Sequence, residues 1–278
     1  MRNKQKWIPV FVGSCILLFF ILVAVFAERL MPYHMEQLSA PYAKPSPAHL
    51  LGTNDIGQDI FSELILGTRT TLMTGVLAAG FIIFIGTGIG IAAGYYGGRV
   101  DRALSGLISV FMAIPQIPFA IVLVAFVKPS IWYIVFAICL TSWTTTARIV
   151  RAKVMELRQQ PFVQAEEALG QKRHVIMIRH ILPNMMDIVL MRATLAISSA
   201  MLTEAGLSFL GLGVYNQKGW GSILHYAFRK NGVVAGFDWW YVPPLICISL
   251  CIFAFVLIGY YGLGSSSVQG RKEYQVSE

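Results

Sequence analysis

The run Gly88-Ile-Gly90-Ile-Ala-Ala93 matches the G-x-G-x-x-A pattern that holds a dinucleotide pyrophosphate at a helix N-terminus. That chemistry needs a preceding strand and a solvated turn. Here the run lies inside an apolar stretch, where a pyrophosphate has no solvent. Glycines also stand at 86, 90, 94 and 98, each four apart. On a helix, Gly86, Gly90, Gly94 and Gly98 form one face on which a neighbouring helix can approach closely. Helix packing therefore explains the run better than phosphate binding. The dipeptide Gly-Lys does not occur, so there is no P-loop, and no H-E-x-x-H occurs. The sequence shows no machinery of its own for ATP or a catalytic metal, and no catalytic constellation on which an integral-membrane enzyme could stand.

Other reactive side chains are scattered. His34, His49 and His225 have no ligand spacing and are expected to be solvated. Asp55 and Asp59 match no EF-hand, and a turn or capping role suits them. Cys15, Cys139, Cys247 and Cys251 all fall in apolar stretches with no Cys-x-x-Cys among them, so they are read as small buried hydrophobes.

The elements that hold these residues follow from composition. Of 278 residues, 56% are hydrophobic and only 13% charged, with a mean hydropathy of +0.63. Soluble domains carry about 25% charged residues, so this chain cannot cover a water-facing surface. The expected class is all-α integral membrane. A helix needs about 20 apolar residues to cross a bilayer. Six stretches meet or approach that length: 7–27, 71–95, 103–127, 129–147, 188–207 and 240–263. The third contains Pro115 and Pro118, which predict a kink or a break. The fourth ends in Thr144-Thr145-Thr146, which blurs its inner boundary.

Six spans place both termini on one side. If that side is cytoplasmic, inner segments hold 14 Lys and Arg against seven outside, with Arg192 left within a span. The net charge of +8 then reflects membrane orientation, not nucleic acid. The first apolar stretch could be a cleaved secretory signal, but it is longer than the roughly 7–15 residues such signals use, so an uncleaved span is expected.

Polar groups inside spans are functional candidates. Arg192 admits two roles, snorkelling to the inner interface or serving a pathway or subunit contact. Gln116, between the two prolines, could line a pathway beside a broken helix. Glu204 reads as an anchor for the outer loop. Trp239, Trp240 and Tyr241 read as an interfacial aromatic belt.

The long inner segment 148–186 contains a short amphipathic helix. Pro161 suits a first helical position and Gly170 the position just past the end. Phe162, Ala165 and Leu169 share one face. The helix could lie on lipid or dock in a partner's groove; docking suits its small apolar face better. A second helix is expected over 171–182, stopped by Pro183.

At these residues the chain resembles permease subunits of binding-protein-dependent ABC importers. Gln164-Ala165-Glu166 and Gly170, then His180-Ile-Leu-Pro183-Asn184, are similar to the family's E-A-A-x-x-x-G loop. Gln164 and Glu166 depart from the motif. Three further runs resemble the same branch: His49 to Asp59, Gly94 to Asp101, and Glu204 to Gly213 followed by Trp220-Gly221. The likeness is to the second permease of dipeptide, oligopeptide and nickel importers.

The resemblance implies six transmembrane helices with a cytoplasmic coupling loop between the fourth and fifth. It implies a pathway shared with a second, homologous permease in the cell membrane of a prokaryote. Two ABC ATPase subunits would carry ATP and Mg, with no cofactor on this chain. An extracytoplasmic binding protein would deliver peptides, nickel or a nickel chelate. Gln164, Ala165, Glu166, Ala168, Leu169, Gly170 and Pro183 would form the coupling surface. The competing class is a self-sufficient secondary transporter or channel, disfavoured by the lack of internal repeats and of mid-membrane acidic residues.

Overall fold

The computed structural model describes residues 4–127, 130–214 and 217–263. Arg2, Lys128, Pro129, Arg271 and Lys272, which entered the charge and span expectations, lie outside them. Helix α1 (Lys4–Val25) is followed by a single turn, α2 (Ala27–Leu30). Residues 31–59 form an irregular segment pinned by an isolated bridge between Thr53 and Asp59. Helices α3 (Ile60–Tyr96), α4 (Gly98–Ala113), α5 (Gln116–Ala125) and α6 (Ile131–Arg158) follow. The segment after α6 carries α7 (Pro161–Ala168) and one turn, α8 (Arg173–Val175). The chain then enters α9 (Met186–Leu207), α10 (Trp220–Arg229) and α11 (Asp238–Leu257). Among the described residues, five helical segments are long and apolar enough to cross a membrane, or six if α4 and α5, bent by 80° at their break, count as one.

Helix α3 starts at Ile60, well before the expected 71. Asp59 caps it: its Oδ2 accepts from Ser62 N and Oγ, both at 2.8 Å. The roughly three extra turns carry Glu63 and Arg69, so an apolar-length criterion misses them. Arg69 is a helical residue paired with Glu28 at 2.9 Å. At the other end Gly97, at φ +66°, turns the chain into α4.

Helices α3 and α6 share the most extensive contact in the fold. A Cβ on Gly86 would lie 2.8 Å from Trp143 O, one on Gly90 2.7 Å from Ala147 O, and one on Gly94 2.7 Å from Arg151 O. Gly98 departs from the expected stripe. It sits in the turn at φ +54°, with no atom within 4 Å of a Cβ added there. This seam also explains why α6 does not stop near 147. Thr146 packs at Gly86 of α3, and the helix runs on to Arg158.

Trp240 is not in an interfacial belt. It is 1% exposed, in a core with Phe20, Trp220, Met201 and Phe255. The expected helix over 171–182 is present from Arg173 to Ile181 but changes type: α8 passes into a π segment (Ile176–Ile181), which ends before Pro183, and Pro183 opens a 3-10 turn (Pro183–Met185). Asn184 Nδ2 donates to His180 O at 2.6 Å across that junction.

Candidate functional site

Helix α7 is a short element held by one buried side chain. Val163 is fully buried among Val150, Val154, Ile176 and Ile181. Gly170 ends the helix in the left-handed region at φ +75°. Gln171 N donates to Glu166 O and Gly170 N to Glu167 O, both at 3.1 Å, which is a Schellman closure. The helix therefore has a fixed end and a fixed anchor.

The opposite surface is open. Phe162 is 40% and Leu169 81% exposed, and Gln164, Ala165 and Ala168 are exposed beside them. Glu166 and Glu167 turn back to the chain: Glu166 Oε1 lies 3.7 Å from His180 Nε2, and Glu167 Oε1 3.8 Å from Arg158 Nε. Gln164 Nε2 donates to Gln159 O at 3.3 Å. Pro183 is exposed, close in sequence to His180, which Glu166 approaches. The residues named from sequence are thus brought onto one loop, with apolar side chains outward and acidic ones inward.

The residues singled out within spans divide. Gln116 follows the break at Pro115, and its Nε2 donates to Thr141 O at 3.0 Å. Arg192 is half-buried on α9, and its buried Nε has no acceptor. Glu204 is buried and accepts from Ser208 Oγ at 2.7 Å. Glu204 Oε1 and Thr71 Oγ1 each lie 3.4 Å from where a Cβ on Gly219 would sit, and Thr71 Oγ1 receives Trp220 N at 3.2 Å. Side chains of α3 and α9 thereby meet at the start of α10, under Gly219.

Two of the histidines expected to be solvated are engaged instead. His49 Nδ1 lies 2.9 Å from Asp59 Oδ1, and its Nε2 3.0 Å from Ser39 Oγ. His225 Nδ1 donates to Phe209 O at 2.7 Å. Asp55 pairs with Lys230 at 3.1 Å. Among the described residues no group of three His, Cys, Asp or Glu gathers to hold a metal.

Two ion pairs had no sequence signal. Lys218 Nζ reaches Glu63 Oε1 at 2.7 Å and Gln58 Oε1 at 3.1 Å, while Asn54 Nδ2 donates to the same Glu63 oxygen at 3.0 Å. At the inner end Arg151 forks onto Asp101, with Nη2 donating to Oδ2 at 2.7 Å and Nε to Oδ1. Both join residues far apart in the chain, so no local spacing announces them.

Residues 86–266 match the family model described as "Binding-protein-dependent transport system inner membrane component". The chain is 35% identical over 251 residues to the dipeptide transport system permease protein DppC of Alkalihalophilus pseudofirmus, covering 89% of this chain and 82% of that one. It is 34% identical over 263 residues to the glutathione transport system permease protein GsiD of Pectobacterium atrosepticum, covering 93% and 86%. Among solved structures, a chain of the MetNI methionine ABC transporter in an inward facing conformation superposes with a TM-score of 0.61 at 17% identity, over 74% of this chain and 97% of that one. At that identity the superposition speaks for the fold alone. The helical spans, the loop between α6 and α9 and these likenesses converge: the chain belongs to the family of inner membrane components of binding-protein-dependent transport systems.

Proposed function

We propose that this permease forms half of the translocation pathway of an ATP-driven peptide importer. A second, homologous permease would form the other half. Two ABC ATPase subunits, carrying ATP and Mg, would take up α7 in a cleft. An extracytoplasmic binding protein would present cargo at the surface built by residues 31–59 and the α9–α11 connection. Peptide is favoured over nickel because the relatives named above are dipeptide and glutathione permeases.

The observation that carries the reading is the division of α7: Val163 is buried in the chain's own core while Leu169 is 81% exposed. A helix anchored on one side and apolar on the other is built to receive a second protein. The other residues of the coupling set, Gln164, Ala165, Glu166, Ala168 and Gly170, shape that surface, with Pro183 beside it. Gln116 and Arg192 are the pathway candidates. The coupling side is cytoplasmic, with both termini on that side, in keeping with the excess of Lys and Arg in the inner segments.

A mild-detergent pull-down of the tagged chain, read by mass spectrometry, tests this. A second permease and ABC ATPases are expected with the native chain, and the ATPases are expected to be lost with Gly170→Trp. Recovery of the chain alone, with uptake in liposomes needing no ATP, would make it a secondary transporter.

A further inference from the structure

Helix α9 has a polar face with nothing of this chain upon it. Arg192, Ser199, Thr203 and Gly206 fall within about 60° of one another at about 100° per residue. Ser199 and Gly206 are exposed, and Arg192 and Thr203 are half-exposed. Ala200, Met201, Glu204 and Ala205, on the other face, are buried. A face turned to lipid would be apolar throughout. This one, flanked by Leu195 and Leu202, carries a guanidinium, two hydroxyls and a glycine at membrane depth. Such groups face a watery cavity or another polar partner.

Among the described residues the guanidinium has no counter-charge. Its Nε is buried without an acceptor, and among the described residues no carboxylate forms an ion pair with it. The two acidic residues of α9 are engaged elsewhere: Asp187 Oδ1 accepts from Ile188 N at 2.8 Å, and Glu204 accepts from Ser208. A half-buried arginine left so is satisfied by cavity water or by an oxyanion from outside, and the oxyanion also neutralises its charge.

Depth indicates the source. Gly75 packs on Met201, and Gly86 on Trp143 and Thr146. Counting inward from the first contact at about 1.5 Å per residue puts Arg192 roughly level with Phe84, and hence with Thr141 to Thr144. Gln116 donates to Thr141 O, so it lies at the same level. Arg192 is about 18 Å of helix below Glu204 and about 13 Å above Pro183. Both stretches of helix are longer than an extended arginine side chain.

We propose that Arg192 is a carboxylate-recognising station within the translocation path, pairing in transit with the terminal or side-chain carboxylate of a peptide. This rests on the peptide-importer reading given above. Guanidinium and carboxylate match in a two-bond fork, which an ammonium reproduces only as a point charge.

The test uses the assembled importer, co-purified with its partners and reconstituted with ATP and binding protein. The probe is a library of free-acid dipeptides to pentapeptides, with uptake read by mass spectrometry. Arg192→Gln is expected to lower uptake at least tenfold across the library, and Arg192→Lys by about threefold, with all subunits recovered in native ratio. Undiminished uptake by Arg192→Gln overturns the proposal. Loss of the second permease from the Arg192→Gln complex overturns it in favour of a subunit contact. Equal uptake in phosphatidylcholine vesicles, with a difference only in phosphatidylglycerol vesicles, overturns it in favour of lipid. If the native importer moves no peptide at all, the peptide reading itself fails.

Discussion

Lys218 Nζ stands 2.7 Å from Glu63 Oε1, a carboxylate belonging to a residue only 2% exposed. The pair joins the segment before α10 to the first turn of α3. Lys218→Met leaves that carboxylate oxygen with Asn54 Nδ2 as its donor. Breaking a buried pair costs about 3–5 kcal/mol, which lowers the unfolding midpoint in detergent by roughly 5–10 °C. The double variant Lys218→Met/Glu63→Gln is expected to regain most of that loss. Equal midpoints for native chain and single variant would show the pair to be idle.

Two neighbouring glycines of α3 are expected to respond in opposite directions. Gly90→Ala places a methyl 2.7 Å from Ala147 O, so α3 and α6 must separate, at a cost of about 1–3 kcal/mol. Gly88→Ala meets nothing within 4 Å and gains up to about 1 kcal/mol in helix propensity. Thermal unfolding of both variants in the same detergent decides the matter. A matching loss in both would mean that close approach is not what these glycines supply.

At Gly170 backbone conformation, not space, sets tolerance. A Cβ there meets nothing within 4 Å, but φ is +75°. Asparagine tolerates that region better than alanine. Uptake is therefore expected to fall in the order glycine, asparagine, alanine, tryptophan, with alanine costing about 1 kcal/mol of local order. Side-chain size alone would instead rank alanine above asparagine.

Leu169 separates docking from folding. With 81% of its surface exposed, Leu169→Ser is expected to shift chain stability by less than about 0.5 kcal/mol. Recovery of ATPase subunits in a pull-down should nonetheless drop severalfold. Val163→Ala, at a fully buried site, is expected to lower stability first. If both variants behaved alike, α7 would not have the two-sided character assigned to it.

Much of this architecture was legible in the sequence because apolar length and four-residue spacing are local signals. The α7 helix, its glycine stop, the break at Pro115 and three of the four α3 glycines fall into that class. Gly98 shared the spacing but lies past the helix end, which periodicity cannot register. The start of α3 was missed because its first turns carry Glu63 and Arg69, whose partners lie far away in the chain. Trp240 was misplaced for a related reason: a tryptophan near a span end suits the interface equally well until Phe20 and Trp220 are seen to enclose it. The Arg151–Asp101 fork and the Lys218–Glu63 pair were invisible, since tertiary ion pairs leave no periodic trace.

Helix α6 runs for 28 residues from Ile131 to Arg158 without a glycine or a proline. At about 1.5 Å per residue it is a strut some 40 Å long. The α7 anchor sits at its inner end, and Thr141, which holds Gln116, lies partway along it. A rod with no soft joint passes a push along its length without folding under it. Compliance in this half of the molecule is therefore concentrated where the helical ladder is already cut, at Ile114 and Pro115. On the proposed reading, a nudge delivered at α7 would arrive as a change of angle between α4 and α5, so the elbow, not the strut, would set how far a path opens.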